Sequence, residues 1–326
     1  MSELHRFLFE GLPVRGMLVR LTDGWQEVLR RHEQAGAYPL AVQNLLGEMT
    51  AAAVLMQGNI KFNGSLILQI QGDGPVKLAV AEVQPDFGFR VTAKVVNEVA
   101  TDAPLSHMVN VNNEGRCAIT LDPKDRQPGQ QPYQGVVPLF GDRREKLEHV
   151  SEVLEHYMLQ SEQLDTKLVL AANGQVAAGL LIQRIPTQGE ANLSGSAAAR
   201  AREDAIGQSD DYNRIAMLAA SLKAEELLNL DAETILHRLF WQEPLQRFEP
   251  ASGAAQPHFH CSCSRERVAN MLQNLGVEEV ESIVSEQGQV QVGCDFCGAQ
   301  YVFDPVDAAQ LFVTPPQQPP ASNRVQ

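Results

Sequence analysis

The chain has 326 residues, which is enough for two or more domains, at least one of which can bury a sizeable hydrophobic core. Its formal charge of -14 and its pI near 5.0 oppose a nucleic-acid-binding surface. No apolar run approaches the roughly 20 residues that span a bilayer, and the N-terminal segment lacks the pattern of a secretory signal. We therefore expect a cytoplasmic protein that binds neither nucleic acid nor membrane.

The first block, residues 1–186, alternates between strand and helix patterns and predicts an α+β domain. Helical spacing predicts helices that start near Asp23, Pro39 and Asp142, and the second of these has so little polar face that it should be central and buried. Residues 123–135 are predicted to form a loop. Alternating apolar residues between turn formers predict strands at 6–10, 14–19, 66–70, 76–80, 88–96, 116–121, 167–170 and 180–182.

Residues 187–256 are predicted to be a mobile linker with amphipathic helices. Small and polar residues dominate 187–210, and no apolar stripe is present there. Apolar residues at helical spacing then predict one helix at 212–222 and a second, capped by Asp231, that continues to Trp241. The apolar faces of these helices need a partner. They either belong to the fixed core of the first domain or rest on it reversibly.

Four of the five cysteines fall into two tight pairs, Cys261-Ser262-Cys263 and, after thirty intervening residues, Cys294-Asp295-Phe296-Cys297. Two such thiolate pairs complete a tetrahedral four-sulfur shell, which is typical of structural zinc. A closed shell leaves no position for a catalytic water, so a metal hydrolase is disfavoured. The spacing therefore predicts Zn2+ as the cofactor, bound by Cys261, Cys263, Cys294 and Cys297, and we identify no catalytic residue.

The neighbours of the two pairs extend this prediction. Gly298 follows the second pair and allows the backbone to turn back towards the sulfurs. Arg265 and Arg267 follow the first pair, where they either offset the excess negative charge of four thiolates or are simply solvated. His258 and His260 precede it and are alternative ligands, although exposed histidines are the simpler interpretation.

Residues 257–313 form a small block whose folding should depend on the metal. A block of fifty-seven residues lies near the size at which a hydrophobic core alone is marginal, whereas structural zinc contributes about 10 to 16 kcal/mol of apparent binding free energy. Two helices are predicted between Ser264 and Gly288, followed by strands that flank the second cysteine pair. The proline-rich tail, 314–326, is predicted to be disordered. The fifth cysteine, Cys117, lies in a strand pattern and is predicted to be a packing residue.

The sequence resembles the thirty-three-kilodalton heat-shock chaperonins, a family of bacterial holdases that are switched by oxidation. Both cysteine pairs carry the resemblance, together with Arg265-Glu266-Arg267 after the first pair. Further matching segments are spread over nearly the whole chain: Arg6-Phe7-Leu8-Phe9-Glu10, Val14-Arg15-Gly16, Leu68-Gln69-Ile70-Gln71-Gly72-Asp73-Gly74-Pro75, Tyr133-Gln134-Gly135 and Ser161-Glu162-Gln163-Leu164. The run at 187–210 looks longer than the usual linker of this family.

The resemblance implies an α+β client-binding core domain at 1–186, a helical linker at 187–256 and a zinc redox-switch domain at 257–313. It implies an ATP-independent chaperone that binds unfolded or misfolding client proteins and forms a homodimer when oxidised. It matches Cys261, Cys263, Cys294 and Cys297 one by one to the zinc-binding, peroxide-sensing thiols of the family. Because the sulfurs within each pair are neighbours, oxidation should join Cys261 to Cys263 and Cys294 to Cys297, which is consistent with the family pattern.

Two other classes of protein use similar features. A thiol-disulfide oxidoreductase would exploit the cysteines, but such enzymes usually carry one accessible pair on a βα unit. A zinc-ribbon nucleic-acid-binding protein needs basic surroundings, whereas residues 257–313 contain two Arg and no Lys against eight acidic residues. We therefore favour a chaperone that is not an enzyme.

Overall fold

The computed structural model describes residues 2–125, 129–186, 209–250, 253 and 256–313. The chain divides between Cys261 and Ser262 into two compact units. Mixed sheets and helices confirm the predicted α+β class. The predicted mobile run, apart from its last two residues, and the predicted disordered tail lie outside the described residues. Within the described ranges, no helix is both long enough and apolar enough to cross a membrane.

The first unit contains two β-sheets and most of the helices. Its strands are β1 (Glu3–Phe9), β2 (Val14–Leu21), β3 (Gly64–Gln71), β4 (Val76–Val83), β5 (Gly88–Val95), β6 (Arg116–Pro123), β7 (Tyr133–Pro138), β8 (Thr166–Ala172), β9 (Ala177–Arg184), β10 (Leu245–Arg247) and β11 (His258–Phe259). Its helices are α1 (Asp23–Gly36), α2 (Leu40–Asn59), α3 (Leu105–Val109), α4 (Val150–Glu162), α5 (Asp210–Ala220), α6 (Ala224–Asn229) and α7 (Ala232–Phe240).

The two sheets are arranged around α2. The first sheet has the strand order β10-β1-β2-β9-β8, and the second has the order β11-β5-β4-β3-β6-β7. Neighbouring strands are antiparallel except for β11, which runs parallel to β5. Helix α2 contacts strands of both sheets, and fourteen of its twenty residues are buried. Its sequence has almost no polar face because it is enclosed on nearly every side, as predicted.

The linker helices, which we define as α5, α6 and α7, cover the opposite face of the first sheet. Successive side chains of a strand point to opposite faces, so Leu4 and Val19 enter the core around α2, whereas Phe9 and Leu18 enter a second core. The linker helices bury their apolar residues in this second core, among them Ile215. The larger residues of the sheet face and of the linker helices packed on it include Phe7, Phe9, Val14, Leu18, Leu180, Ile182, Tyr212, Ile215, Leu227, Ile235, Leu236 and Phe240.

The second unit is small and is built from α8 (Arg265–Leu275), α9 (Val277–Gln287), β12 (Val290–Gly293), β13 (Gln300–Phe303) and α10 (Pro305–Gln310). Strands β12 and β13 form an antiparallel hairpin around the second cysteine pair, as predicted. The buried apolar core of this unit consists of Leu272, Val280, Val290, Phe303 and Ala308. A core of five buried side chains is far smaller than either core of the first unit.

Several local predictions were wrong. The helix expected from Asp142 begins at Val150, because the Glu152 carboxylate accepts hydrogen bonds from the backbone N–H of Glu148 at 2.8 Å and of His149 at 3.1 Å and so closes the helix start there. Asp23 is the first residue of α1 and not its N-cap. Trp241 lies just beyond α7 and is 68% exposed, so it is not part of the buried face.

The loop expected at 123–135 was also too long. Strand β7 begins at Tyr133 and pairs with β6 from Tyr133 to Pro138. The short elements α3, α6, β10 and α10 were not predicted, because pieces of three to six residues are too short to show a hydrophobic period.

Candidate metal centre

The structure brings the four paired cysteines together. Their Sγ atoms all lie within 4.8 Å of one another, and those of Cys263 and Cys297 are 3.3 Å apart. Four sulfurs on a tetrahedral zinc ion, each about 2.3 Å from the metal, are about 3.8 Å from one another. None of the five cysteines is joined in a disulfide, and the 3.3 Å between Cys263 and Cys297 is well beyond the about 2.05 Å of an S–S bond. The spacing of the sulfurs therefore fits a four-thiolate zinc site in the reduced state.

The second pair is held by the turn between β12 and β13. The Cys294 N–H donates to the Ala299 carbonyl at 2.9 Å, and the Gly298 N–H donates to the Cys294 carbonyl at 2.8 Å. Gly298 has φ = +70°, a left-handed conformation that strains any residue with a β-carbon. The predicted role of Gly298 as the turning residue is therefore confirmed.

The first pair lies between the end of β11 and the start of α8. On one side, the His260 N–H donates to the Phe89 carbonyl at 2.9 Å and fixes the backbone just before Cys261 to the second sheet. On the other side, the Ser264 hydroxyl accepts from the Arg267 N–H at 3.1 Å and caps α8 just after Cys263. A strand end and a helix start thus restrict the positions of both sulfurs.

Tyr301 is a member of the site that the sequence analysis missed. Its hydroxyl donates to the Cys263 Sγ at 3.1 Å. This hydrogen bond to a thiolate raises the pKa of Tyr301 to about 12, so the hydroxyl remains a donor at every physiological pH. Hydrogen bonds of this kind orient a metal ligand and spread its charge. The signal available in the sequence was the position of Tyr301 four residues after Cys297, where a strand was predicted to flank the second pair.

Arg90 lies beside Cys261 and was also missed. Burial lowers the pKa of Arg90, but its hydrogen bonds and charge interactions with Glu82 and Cys261 outweigh that effect and raise the pKa. The Arg90 Nη2 atom lies 2.6 Å from the Glu82 Oε2 atom, so the guanidinium is held by strand β4 while it faces the sulfur. No local pattern in the sequence connects β5 with a cysteine so distant along the chain.

The basic residues that follow the first pair have structural contacts. Arg265 donates to the Val302 carbonyl and to the Asp307 carboxylate, each at 2.6 Å, and its guanidinium stacks 4.1 Å from the ring centroid of Phe303. Arg267 donates to the Ser262 hydroxyl at 2.6 Å. Arg265 therefore braces α8 against β13 and α10, and these contacts do not support the alternative in which it neutralises the thiolates.

The two histidines near the first pair are not brought to the sulfurs. His258 directs Nδ1 to the Gln256 carbonyl at 2.8 Å, and its ring centroid is 6.2 Å from that of His260. Within the described part of the chain, the group of residues that could hold a metal here consists of the four cysteines alone.

Cys117 is a packing residue, as predicted. It lies on β6 in the core around α2 and is 1% exposed. Burial raises the pKa of its thiol to about 12, so it remains a neutral thiol and an inert one.

The fold and the site together define an α+β protein with a C-terminal four-cysteine candidate metal centre. The chain matches the family model described as "Hsp33 protein" over residues 2–304. It is 47% identical over 311 residues to the 33 kDa chaperonin of Chromobacterium violaceum, which covers 95% of this chain and 94% of that protein. It is 44% identical over 315 residues to the 33 kDa chaperonin of Methylobacillus flagellatus, covering 96% of this chain and 95% of the relative.

A solved structure shows the same fold. The crystal structure of the 33 kDa chaperonin from Thermotoga maritima matches with a TM-score of 0.71 and 20% sequence identity, over 95% of this chain and 97% of that one. The chain therefore belongs to the Hsp33 family and is a chaperone of that type.

Proposed function

We propose that the chain is a redox-regulated, ATP-independent holdase in the cytoplasm. In the reduced state Cys261, Cys263, Cys294 and Cys297 bind one Zn2+, and the protein is inactive. Oxidation releases the metal and exposes a surface that binds unfolding client proteins. The observation that carries this proposal is the convergence of four sulfur atoms within 4.8 Å in a part of the chain with a very small core.

The chemical step is the oxidation of thiolates by peroxide. Cys261 and Cys263 lose two electrons as their S–S bond forms, while one hydrogen peroxide takes up those electrons and two protons and becomes two water molecules. Cys294 and Cys297 consume a second peroxide in the same way. A disulfide sulfur carries no negative charge and binds zinc poorly, so the metal is released. A thiol reductant reverses both steps and restores the site.

Metal release removes most of the stability of the second unit. Its hydrophobic core has five buried side chains, whereas a structural zinc ion contributes about 10 to 16 kcal/mol of apparent binding free energy. Without the ion, the remaining burial does not offset the conformational entropy of the chain. The second unit therefore unfolds, and Cys261 loses the contacts that hold the end of β11.

The client-binding surface is the second core, between the first sheet and the linker helices. Its sheet side is strongly apolar and includes Phe7, Phe9 and Leu18, which are all buried beneath the helices in the reduced form. When the linker helices detach, both this face and their own apolar faces become accessible. A contiguous apolar patch of this kind binds the exposed hydrophobic segments of unfolding proteins and favours dimerisation.

Nucleotide independence is supported by the loop at Gly72-Asp73-Gly74, the one glycine pattern that is similar to a phosphate-binding loop. The Asp73 carboxylate accepts hydrogen bonds from the backbone N–H of Val111 at 2.6 Å, Asn112 at 2.8 Å and Glu114 at 3.0 Å. The amides of the loop itself are also in use, since the Gly72 N–H donates to the Lys77 carbonyl at 3.0 Å and the Asp73 N–H donates to the Val109 carbonyl at 3.2 Å. The loop therefore serves to join two segments of the first unit and does not offer these amides to a phosphate.

The test follows zinc content, free thiols and suppression of client aggregation in parallel during peroxide treatment. We expect one zinc per chain at the start, loss of four thiols with the metal, and a gain of holdase activity that dithiothreitol reverses. Hydrogen exchange at 211–313 should rise over the same period. Activation with unchanged protection there would refute the unfolding switch, and turnover of a model disulfide would indicate an oxidoreductase instead.

A further inference from the structure

A cavity of about 130 Å³ lies between the two sheets of the first unit, and its lining includes none of the cysteines. Its inner wall is made of buried apolar side chains: Met56, Leu66, Ile119, Met158, Leu168 and Leu181. It opens to solvent beside Ile60, which is 36% exposed, and Tyr133, which is 50% exposed. An apolar cavity of about 150 Å³ is known to bind benzene, so this one has room for one aromatic ring or a short alkyl chain.

Arg15 supplies a positive charge to the lining of this cavity. Its guanidinium donates to the Gln183 Oε1 atom through Nε, at 3.2 Å, and Nη2, and to the Asn59 carbonyl through Nη1 at 3.2 Å. Both acceptors are neutral. Among the ion pairs within 4.0 Å that the described residues form, none includes Arg15. A partly buried cation without a carboxylate partner is costly, and a bound anion would offset that cost.

The neutral acceptors are themselves fixed. Gln183 is fully buried, and its Nε2 atom donates to the Thr166 hydroxyl at 2.8 Å, which directs its Oε1 atom towards Arg15. The Asn59 Nδ2 atom donates to the same Gln183 Oε1 atom at 2.8 Å. Arg15 uses three of its five N–H groups in this network, so two remain for a ligand. The guanidinium is therefore held in place before any ligand arrives.

One acidic residue also lines the cavity. The Glu162 Oε1 atom accepts hydrogen bonds from the hydroxyls of Tyr133 at 3.0 Å and Tyr157 at 2.9 Å. Glu162 is solvent-exposed and is paired with these tyrosines and not with Arg15. An anionic group is thus disfavoured beside the tyrosines and favoured beside Arg15, which fixes the orientation of a charged ligand.

We propose that this cavity binds a small carboxylic acid with an apolar body, such as an aryl or short alkyl acid. The carboxylate pairs with the free N–H groups of Arg15, and the body fills the space between Met56, Met158 and Leu168. This site is separate from the thiol chemistry, and it does not depend on the proposed redox switch.

The test titrates the reduced, zinc-loaded full chain with 3-phenylpropanoate and with the neutral isostere 3-phenylpropanamide. Calorimetry should show the acid binding at least tenfold more tightly than the amide. Methyl NMR should show shifts at Met56 and Met158, which line the cavity, and none at Met217, which is 75% exposed and lies on a linker helix. Equal affinity for acid and amide, absence of binding at millimolar concentration, or shifts confined to other methionines would each overturn the proposal.

Variants test the role of the charge. Arg15→Met keeps an apolar stem and should reduce affinity for the acid to that for the amide, whereas Arg15→Lys should retain part of the difference. Arg116→Met removes an exposed arginine on β6 and should leave the binding unchanged. If Arg15→Met folds and still prefers the acid tenfold, the assignment is wrong. If Arg15→Met does not fold, the proposal is tested by the affinities of the native chain for the acid and the amide.

Discussion

Phe240 fixes the end of α7 to the first sheet. Its side chain is 2% exposed, and its ring lies edge-on to Phe9 at a centroid distance of 5.0 Å and tilted against Phe7 at 6.1 Å. Replacement of a buried phenylalanine by alanine typically costs about 3 to 5 kcal/mol, because apolar contacts are lost and a cavity remains. In Phe240→Ala this cost falls on the attachment of the linker helices, since Phe240 belongs to the second core.

The size of this cost predicts activation without oxidant. Each 1.4 kcal/mol changes an equilibrium constant tenfold, so a loss of about 3 kcal/mol raises the detached population of the linker helices about a hundredfold. The four cysteines are unchanged, so the variant should retain its zinc and its free thiols. We expect reduced, zinc-loaded Phe240→Ala to suppress client aggregation at concentrations where the native chain does not.

The assay combines light scattering of an unfolding client with hydrogen exchange at 210–247, both under reducing conditions. The matched control is Trp241→Ala, which removes a larger aromatic side chain at the next position, where it is 68% exposed. That control should remain inactive and protected. The reasoning is refuted if Phe240→Ala loses protection at 210–247 without binding clients, or if Trp241→Ala activates equally.

Four further predictions concern the metal centre and the first unit. Cys263→Ser should abolish stoichiometric zinc binding, while Cys117→Ser should leave the zinc content at one per chain, as measured by metal analysis. Tyr301→Phe should raise the zinc dissociation constant about tenfold in chelator competition, because the Cys263 sulfur loses a hydrogen bond, and an unchanged constant would exclude that role. Phe259→Ala should accelerate activation by peroxide, since it removes the ring that lies 4.7 Å from the Arg31 guanidinium and holds β11; slower activation would contradict this. Burial raises the pKa of Glu48 from 4.5 to about 7, so between these pH values the folded state keeps a proton that the unfolded state loses. The free energy of unfolding should therefore fall as pH rises from about 4.5 to 7. Denaturant titrations should show this decline in the native chain and not in Glu48→Gln.

The sequence was sufficient for the features that rest on local periodicity. Strands β3 and β4 were predictable because their apolar residues alternate on either side of a turn, and α2 because its apolar residues leave no polar face. The cysteine cluster was predictable because metal ligation restricts the spacing within each pair. The strands and the helix were predictable because apolar periodicity arises within a few consecutive residues. The metal site was predictable because the spacing of the cysteines is itself specific for metal ligation.

The missed features depend on contacts between distant residues. The start of α4 at Val150 is set by Glu152, whose carboxylate caps the backbone, while the preceding residues looked equally helical by composition. Arg90 meets Cys261 only because β11 pairs with β5. Trp241 is exposed because α7 ends one residue earlier, and hydrophobicity alone did not predict that boundary. Contacts between distant parts of the chain determine these helix boundaries and side-chain contacts, and local sequence patterns do not predict such contacts.

The proposed path from the cysteines to the linker helices passes through two very short strands. Strand β11 ends directly before His260 and Cys261 and joins the second sheet through two residues, while β10 joins the edge of the first sheet through three. Such short edge pairings have few hydrogen bonds and little burial, so they open at low free energy compared with the cores. Chain released at Cys261 can therefore detach β11 and then β10, which frees the end of α7 beyond Phe240. We expect the sheets around α2 to stay intact during these steps, because their long antiparallel pairings are not part of the proposed path. In the proposed mechanism, a stable scaffold with a weakly attached edge would let the first sheet stay folded while detachment of the linker helices uncovers its apolar face.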